Sequence, residues 1–67
     1  MNTFAKQLKE LRESSNLSQS ELGKKLGFTQ AGIAKWEAGT RSPSLDSLIK
    51  ISKFFKVTTD YLLGLED

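Results

Sequence analysis

Residues 18–37 read SQSELGKKLGFTQAGIAKWE, a run with two helix beginnings and one abrupt stop between them. Ser18 opens the first helix: its hydroxyl can accept from amides of the first turn, and Glu21 completes an S-x-x-E capping box by reaching back to the Ser18 amide. Leu22 and Leu26 give this helix, about 19–26, one apolar face, and Gly27 is placed as the left-handed residue that stops it. Thr29 then caps a second helix, about 30–37, with Phe28 before the cap stapled to Ile33 after it. Only Gly27, Phe28 and Thr29 separate the two. A link this short does not return the chain antiparallel, so the pair crosses steeply, at ~90–120° as in a helix-turn-helix unit. The second helix protrudes. Its apolar face is thin, Ile33 and Trp36 alone, and Gly32 in its first turn costs about 1 kcal/mol relative to alanine.

Outward from this pair, apolar residues keep helical spacing and never the sustained alternation of a strand. Phe4, Leu8 and Leu11 line a helix over about 3–14, ended by Ser14-Ser15-Asn16. After the loop TRSPS, Ser44 caps a fourth helix to about 56, marked by Leu45, Leu48, Ile49, Ser52 and Phe55. A fifth runs over about 59–63, with Gly64 beyond it and a frayed end over 64–67. The cap-and-staple device occurs three times, as Leu17-Ser18-Leu22, Phe28-Thr29-Ile33 and Val57-Thr58-Leu62. The expected fold is all-α, a compact five-helix bundle forming a single domain over 1–67.

Composition narrows the function. With 67 residues, no cysteine and no histidine, the chain has no disulfide, no thiolate site, and neither the commonest metal ligand nor the commonest general base. No Gly-rich phosphate loop or paired carboxylate constellation is present either, so an enzyme is not expected, nor a cofactor or metal. Apolar runs are too short to span a bilayer, and the segment MNTFAKQLKELRE lacks the apolar core of a signal peptide. A cytoplasmic protein is the default. The net charge is +2, but Glu66 and Asp67 form an acidic tail, and residues 1–65 carry ten basic and six acidic groups, a net of +4. That balance favours polyanions without specifying one.

Gln30, Ala31 and Lys35 project outward from the first two turns of the protruding helix, where a recognition helix presents side chains to base edges in a major groove. Taken singly, Gln30 and Lys35 read as ordinary solvated residues. Gly32 reads either as a close approach to DNA or as an exposed glycine without a role. Trp36 reads as core, with an indole contact to phosphate as the alternative, and Lys50, Lys53 and Lys56 as a solubilising face.

The linked set LSQ-x-EL, LG-x-T-Q-x-x-I-x-x-W-E-x-G, P-S-L-x-x-L and V-x-x-D-YLLG resembles the phage repressor and Cro family, also called XRE, over nearly the whole chain. The resemblance implies a double-stranded DNA partner, an inverted-repeat operator bound by a homodimer, and a bacterial or phage-encoded regulator acting at the nucleoid. Gln19 matches a glutamine that holds a phosphate and braces the first residue of the recognition helix, here Gln30. Gln30 would read a base, its donor and acceptor suiting the N6/N7 edge of adenine. Lys35 would reach guanine or a phosphate, and Ala31 would either touch a thymine methyl or contribute nothing. Ser18, Thr29, Thr40, Arg41 and Ser42 join Gln19 as phosphate contacts. Arg12 and Glu37 match a structural pair joining the first helix to the third. Phe54, Val57, Thr59 and Tyr61 match the dimer contact, and the adjacent Phe54 and Phe55 do not both point inward on one helix. Ala38 departs from the family, in which an amide or basic side chain often stands there. The leading expectation is an operator-binding repressor. The alternative is a protein-docking switch component, an antitoxin or immunity regulator whose main partner is another protein.

Overall fold

In the computed structural model, which describes residues 3–66, the capping signals and helical spacing yield five helices. They are α1 (Thr3–Ser14), α2 (Gln19–Leu26), α3 (Gln30–Ala38), α4 (Leu45–Phe55) and α5 (Thr59–Leu63). No strand occurs among the described residues. The all-α expectation holds, with helix bounds within a residue or so of those read from the sequence; Asp67, the last residue of the expected frayed end, lies outside the described residues. Among the described residues, no helix is long and apolar enough to cross a membrane.

The starts of α2 to α5 are each made by the residue expected to make them. Ser18 Oγ accepts from the Glu21 amide at 3.0 Å while Glu21 Oε1 accepts from the Ser18 amide at 2.8 Å, closing the capping box. Thr29, Ser44 and Thr58 cap α3, α4 and α5 through their hydroxyl oxygens. The ends share one device. Asn16, Gly27, Gly39, Lys56 and Gly64 all take left-handed backbone angles. After each of them the next amide donates back across the turn: Leu17 to Arg12, Phe28 to Gly23, Thr40 to Lys35, Val57 to Ser52 and Leu65 to Asp60. This is the Schellman arrangement, and it satisfies carbonyls that a helix end otherwise leaves open.

α1 lies against α3 and α5, α2 against α3 and α4, and α4 against α5. Phe4, Leu8, Leu22, Ile33, Trp36, Leu48, Ile51 and Leu62 form the core, flanked by the staple residues Leu17, Phe28 and Val57. Trp36 is held edge-on by Phe28, with ring centroids 5.0 Å apart, and by Phe4 at 6.3 Å. Its indole nitrogen is buried, which agrees with the core reading.

Two expectations change. On α4 the buried residues are Leu48, Ile51 and Ser52, whereas Leu45 is 71% exposed and Ile49 is also exposed. Leu45 stands in the first turn and Ile49 one turn below it, a strip beside the one that Leu48, Ile51 and Ser52 turn toward the core. Nor is Lys50 only a solubilising residue. Its ammonium donates to the Leu26 carbonyl at 3.3 Å and sits 5.4 Å from the centre of the Phe28 ring, so it caps the end of α2.

The close approach of α2 to the α2–α3 turn depends on Gly23, buried in the middle of α2. A β-carbon there would stand 2.6 Å from the Phe28 carbonyl oxygen, in the backbone of the connecting turn. Gly23→Ala is therefore expected to destabilise the domain by about 1–3 kcal/mol, or roughly 4–8 °C in Tm for each kcal/mol. A thermal melt unchanged by the substitution would refute the close approach.

The backbone amide and hydroxyl of Ser18 hold the Glu21 carboxyl below its ordinary value of 4.5. Because the folded value is the lower one, the contribution of the box is present above that ordinary range and is lost as pH falls through the folded value. Urea midpoints of the wild type and Glu21→Gln should accordingly converge as pH is lowered from about 7 to below 4.5 and through the lower folded value. A constant gap would show that the charge is not what matters.

Candidate nucleic-acid interface

The outer side of α3 carries Gln30, Ala31 and Lys35, all exposed, and the loop beyond it presents Thr40, Arg41 and Ser42, also exposed. Ser18 and Thr29 stand exposed at the starts of α2 and α3, with Gln19 half-buried between the two helices. The structure thus brings every residue expected to touch DNA onto α2, α3 and the α3–α4 loop. Phe54, Val57, Thr59 and Tyr61 lie apart from them, at the end of α4, in the α4–α5 connection and in α5.

A chain of polar contacts supports the first residue of α3. Arg12, buried on α1, grips Glu37 with Nε 2.6 Å from Oε2 and Nη2 2.9 Å from Oε1, a two-pronged fit. The third nitrogen, Nη1, donates to the Leu17 carbonyl at 2.8 Å. Both side chains are nearly removed from solvent, at 11% and 5% exposure, and the carboxylate pushes the guanidinium pKa further up. Glu37 Oε1 also accepts from Gln19 Nε2 at 3.1 Å, and Gln19 Oε1 accepts from Gln30 Nε2 at 2.7 Å. The expected Arg12–Glu37 pair and the expected Gln19–Gln30 brace are thus one continuous relay. The Gln19–Glu37 link escaped the sequence reading because it crosses the α2–α3 angle, which no residue spacing encodes.

The caps leave some hydroxyls more available than others. Ser18 and Thr29 use oxygen lone pairs to accept from amides, so their hydroxyl protons stay free to donate outward. Thr40 instead donates its hydroxyl to the Lys35 carbonyl at 3.2 Å. α3 has no acidic residue in its first turn, so the positive end of its dipole faces outward unopposed. Gly32 has a nearer constraint than DNA: a β-carbon there would crowd the Thr29 cap hydroxyl at 3.1 Å. Gly23 was missed as a determinant of the site, although a glycine inside a helix four residues before a second glycine is a readable sign of close backbone approach.

Comparison with known proteins agrees with this geometry. The helix-turn-helix family model matches residues 8–62. The HTH-type transcriptional activator BcrR of Enterococcus faecalis is 44% identical over 64 residues, covering 96% of this chain and 31% of that protein. The HTH-type transcriptional regulator ImmR of Bacillus subtilis (strain 168) is 35% identical over 65 residues, covering 97% of this chain and 51% of that protein. The chain thus spans about a third to a half of the length of these two relatives. Among solved structures, the P22 c2 repressor in complex with a synthetic operator superposes with a TM-score of 0.87 at 27% identity, covering 94% of this chain and 96% of that one. A short α2–α3 connection, an outward polar face on α3 and a family match over most of the chain lead to one assignment: the protein belongs to the helix-turn-helix family of phage repressor and Cro (XRE) type, a family of DNA-binding transcriptional regulators.

Proposed function

We propose that this domain binds an inverted-repeat operator as a homodimer and represses transcription by occupying it. The observation that carries the reading is the relay from Arg12 through Glu37 and Gln19 to Gln30, which holds an exposed glutamine on the first turn of a protruding helix. An exposed glutamine on a surface helix is ordinarily mobile, and fixing one to a buried ion pair has a use only if its position matters.

On this reading Gln30 pairs with adenine, Lys35 reaches guanine or a phosphate, and Ala31 meets a thymine methyl. Ser18, Gln19, Thr29, Arg41 and Ser42 donate to phosphates, Gln19 through its remaining amide hydrogen; Thr40 does so by exchanging its bond to Lys35. One such helix reads only a few base pairs, and each wrong base costs ~1–3 kcal/mol, too little to select one site in a genome. Two copies on a twofold axis double the reading when their recognition helices stand about 34 Å apart. Phe54, Val57, Thr59 and Tyr61 are the proposed contact between copies. Phe54 is 37% exposed, its ring edge-on to Phe55, and Leu63 in α5 and Leu65 just after it are exposed as well, which favours a covered surface.

Activation is the second reading, favoured by the name of the Enterococcus relative. A docking role toward another protein is the third, favoured by the same exposed apolar side chains. Selection of sites from a randomised duplex library at two salt concentrations separates the docking reading from the first two, and a reporter assay with the selected site at a promoter separates repression from activation. An inverted repeat with half-sites one turn apart, bound less tightly as salt rises, is expected. Only sequence-blind binding would overturn the operator reading. Gln30→Ala and Lys35→Ala should relax the preference at single positions, by about 1–3 kcal/mol, with little change in Tm. Arg41→Ala should weaken binding on all sequences alike and lower the salt slope by about one.

A further inference from the structure

Glu37 does more than hold α3 to α1: we propose that it fixes which atoms of Gln30 face outward, and so makes that reading position select adenine against guanine. The inference rests on the operator-binding reading and deepens it.

Chemistry forces the direction of the relay. Arg12 carries donors only, and Glu37 beside it is an ionised carboxylate, an acceptor at both oxygens. The Gln19 side-chain atom 3.1 Å from Glu37 Oε1 must therefore be its amide nitrogen, which turns Gln19 Oε1 toward Gln30. The Gln30 atom 2.7 Å from that oxygen must in turn be Nε2. Donation runs one way, from Gln30 to Gln19 to Glu37. Two glutamines alone have no such preference, because each amide can turn over and exchange its donor and acceptor ends.

At the surface this direction decides what Gln30 offers. One Nε2 hydrogen is committed to Gln19, leaving Oε1 and the second Nε2 hydrogen side by side. An acceptor beside a donor matches the N6 amino group and N7 of adenine, whereas guanine presents two acceptors, O6 and N7, and would set O6 against Oε1. In the opposite direction Gln30 Oε1 would accept from Gln19 and both amide hydrogens would face outward, the pattern suited to guanine. Glu37 is a positioning residue that reaches the base through two others.

Two measurements test this. In wild-type protein labelled with nitrogen-15 and carbon-13, scalar couplings across the hydrogen bonds are expected from Gln30 Nε2 to Gln19 Cδ and from Gln19 Nε2 to Glu37 Cδ. Couplings in the reverse sense, or none, overturn the proposal without any reference to DNA. In Glu37→Gln, Arg12 would retain the new side-chain carbonyl and turn the amide toward Gln19, reversing the direction. Site selection with that variant should lower the adenine preference at the position that Gln30→Ala also relaxes, by roughly tenfold, and admit guanine there. A loss of stability would weaken all sequences together, so only a changed direction exchanges one base for another. A folded Glu37→Gln protein that keeps the adenine preference overturns the proposal, and if the variant does not fold the couplings decide. A wild-type protein with no sequence preference would sink the operator reading instead, leaving the direction of the relay to the couplings.

Discussion

The buried ion pair between Arg12 and Glu37 is the contact on which the arrangement of the other helices turns. Removing two charges from water costs several kcal/mol each, and their attraction offsets this only with good geometry and with the remaining donors satisfied. Both conditions hold: two guanidinium nitrogens grip the carboxylate and the third caps the α1–α2 turn at Leu17. Such a pair contributes more to specifying one arrangement than to net stability. It is needed here because α3 contributes only Ile33 and Trp36 to the core, and two apolar side chains on a nine-residue helix leave its rotation about its own axis weakly set. The polar lock supplies what the thin apolar face does not.

Termination is handled with similar economy. A chain of 67 residues forming five helices reverses direction often, and each reversal exposes carbonyls that need partners. Ending every helix on a left-handed residue satisfies them within one turn and keeps the connections short. Three of these residues are glycines, for which the conformation is free of strain, while Asn16 and Lys56 adopt it despite their side chains. With loops this short, little chain is left to order without structure, which suits a domain too small to offset much entropy by burial.

The sequence made the helices legible because their signals are local. Caps, staples and glycine stops each act within a few residues, so Ser18, Thr29, Thr58 and Gly27 could be read in order. What depended on the third dimension was read less well. Leu45 and Ile49 fit a helical period but sit beside the buried strip of α4, and periodicity alone does not say which neighbour a strip will meet. The Arg12–Glu37 pair and the Gln19–Gln30 brace were reached through family resemblance, not residue spacing. Their fusion at Glu37, the clasp of Lys50 on the end of α2 and the clearance at Gly23 all depend on helix crossing, which no single segment encodes.

The thin apolar face of α3 also bears on how such a protein changes over generations. Ala31 and Lys35 are exposed, their side chains are tied to nothing in the relay, and their replacement leaves the core untouched. Gln30 is different, because its side chain donates to Gln19 Oε1, and a new side chain there leaves that contact without its partner while the Gln19 bond to Glu37 remains. Drift toward a new target would therefore begin at 31 and 35, where single substitutions are structurally neutral. Position 30 would follow only in step with 19, so descendants of this domain should vary these two residues as a pair while the others vary singly.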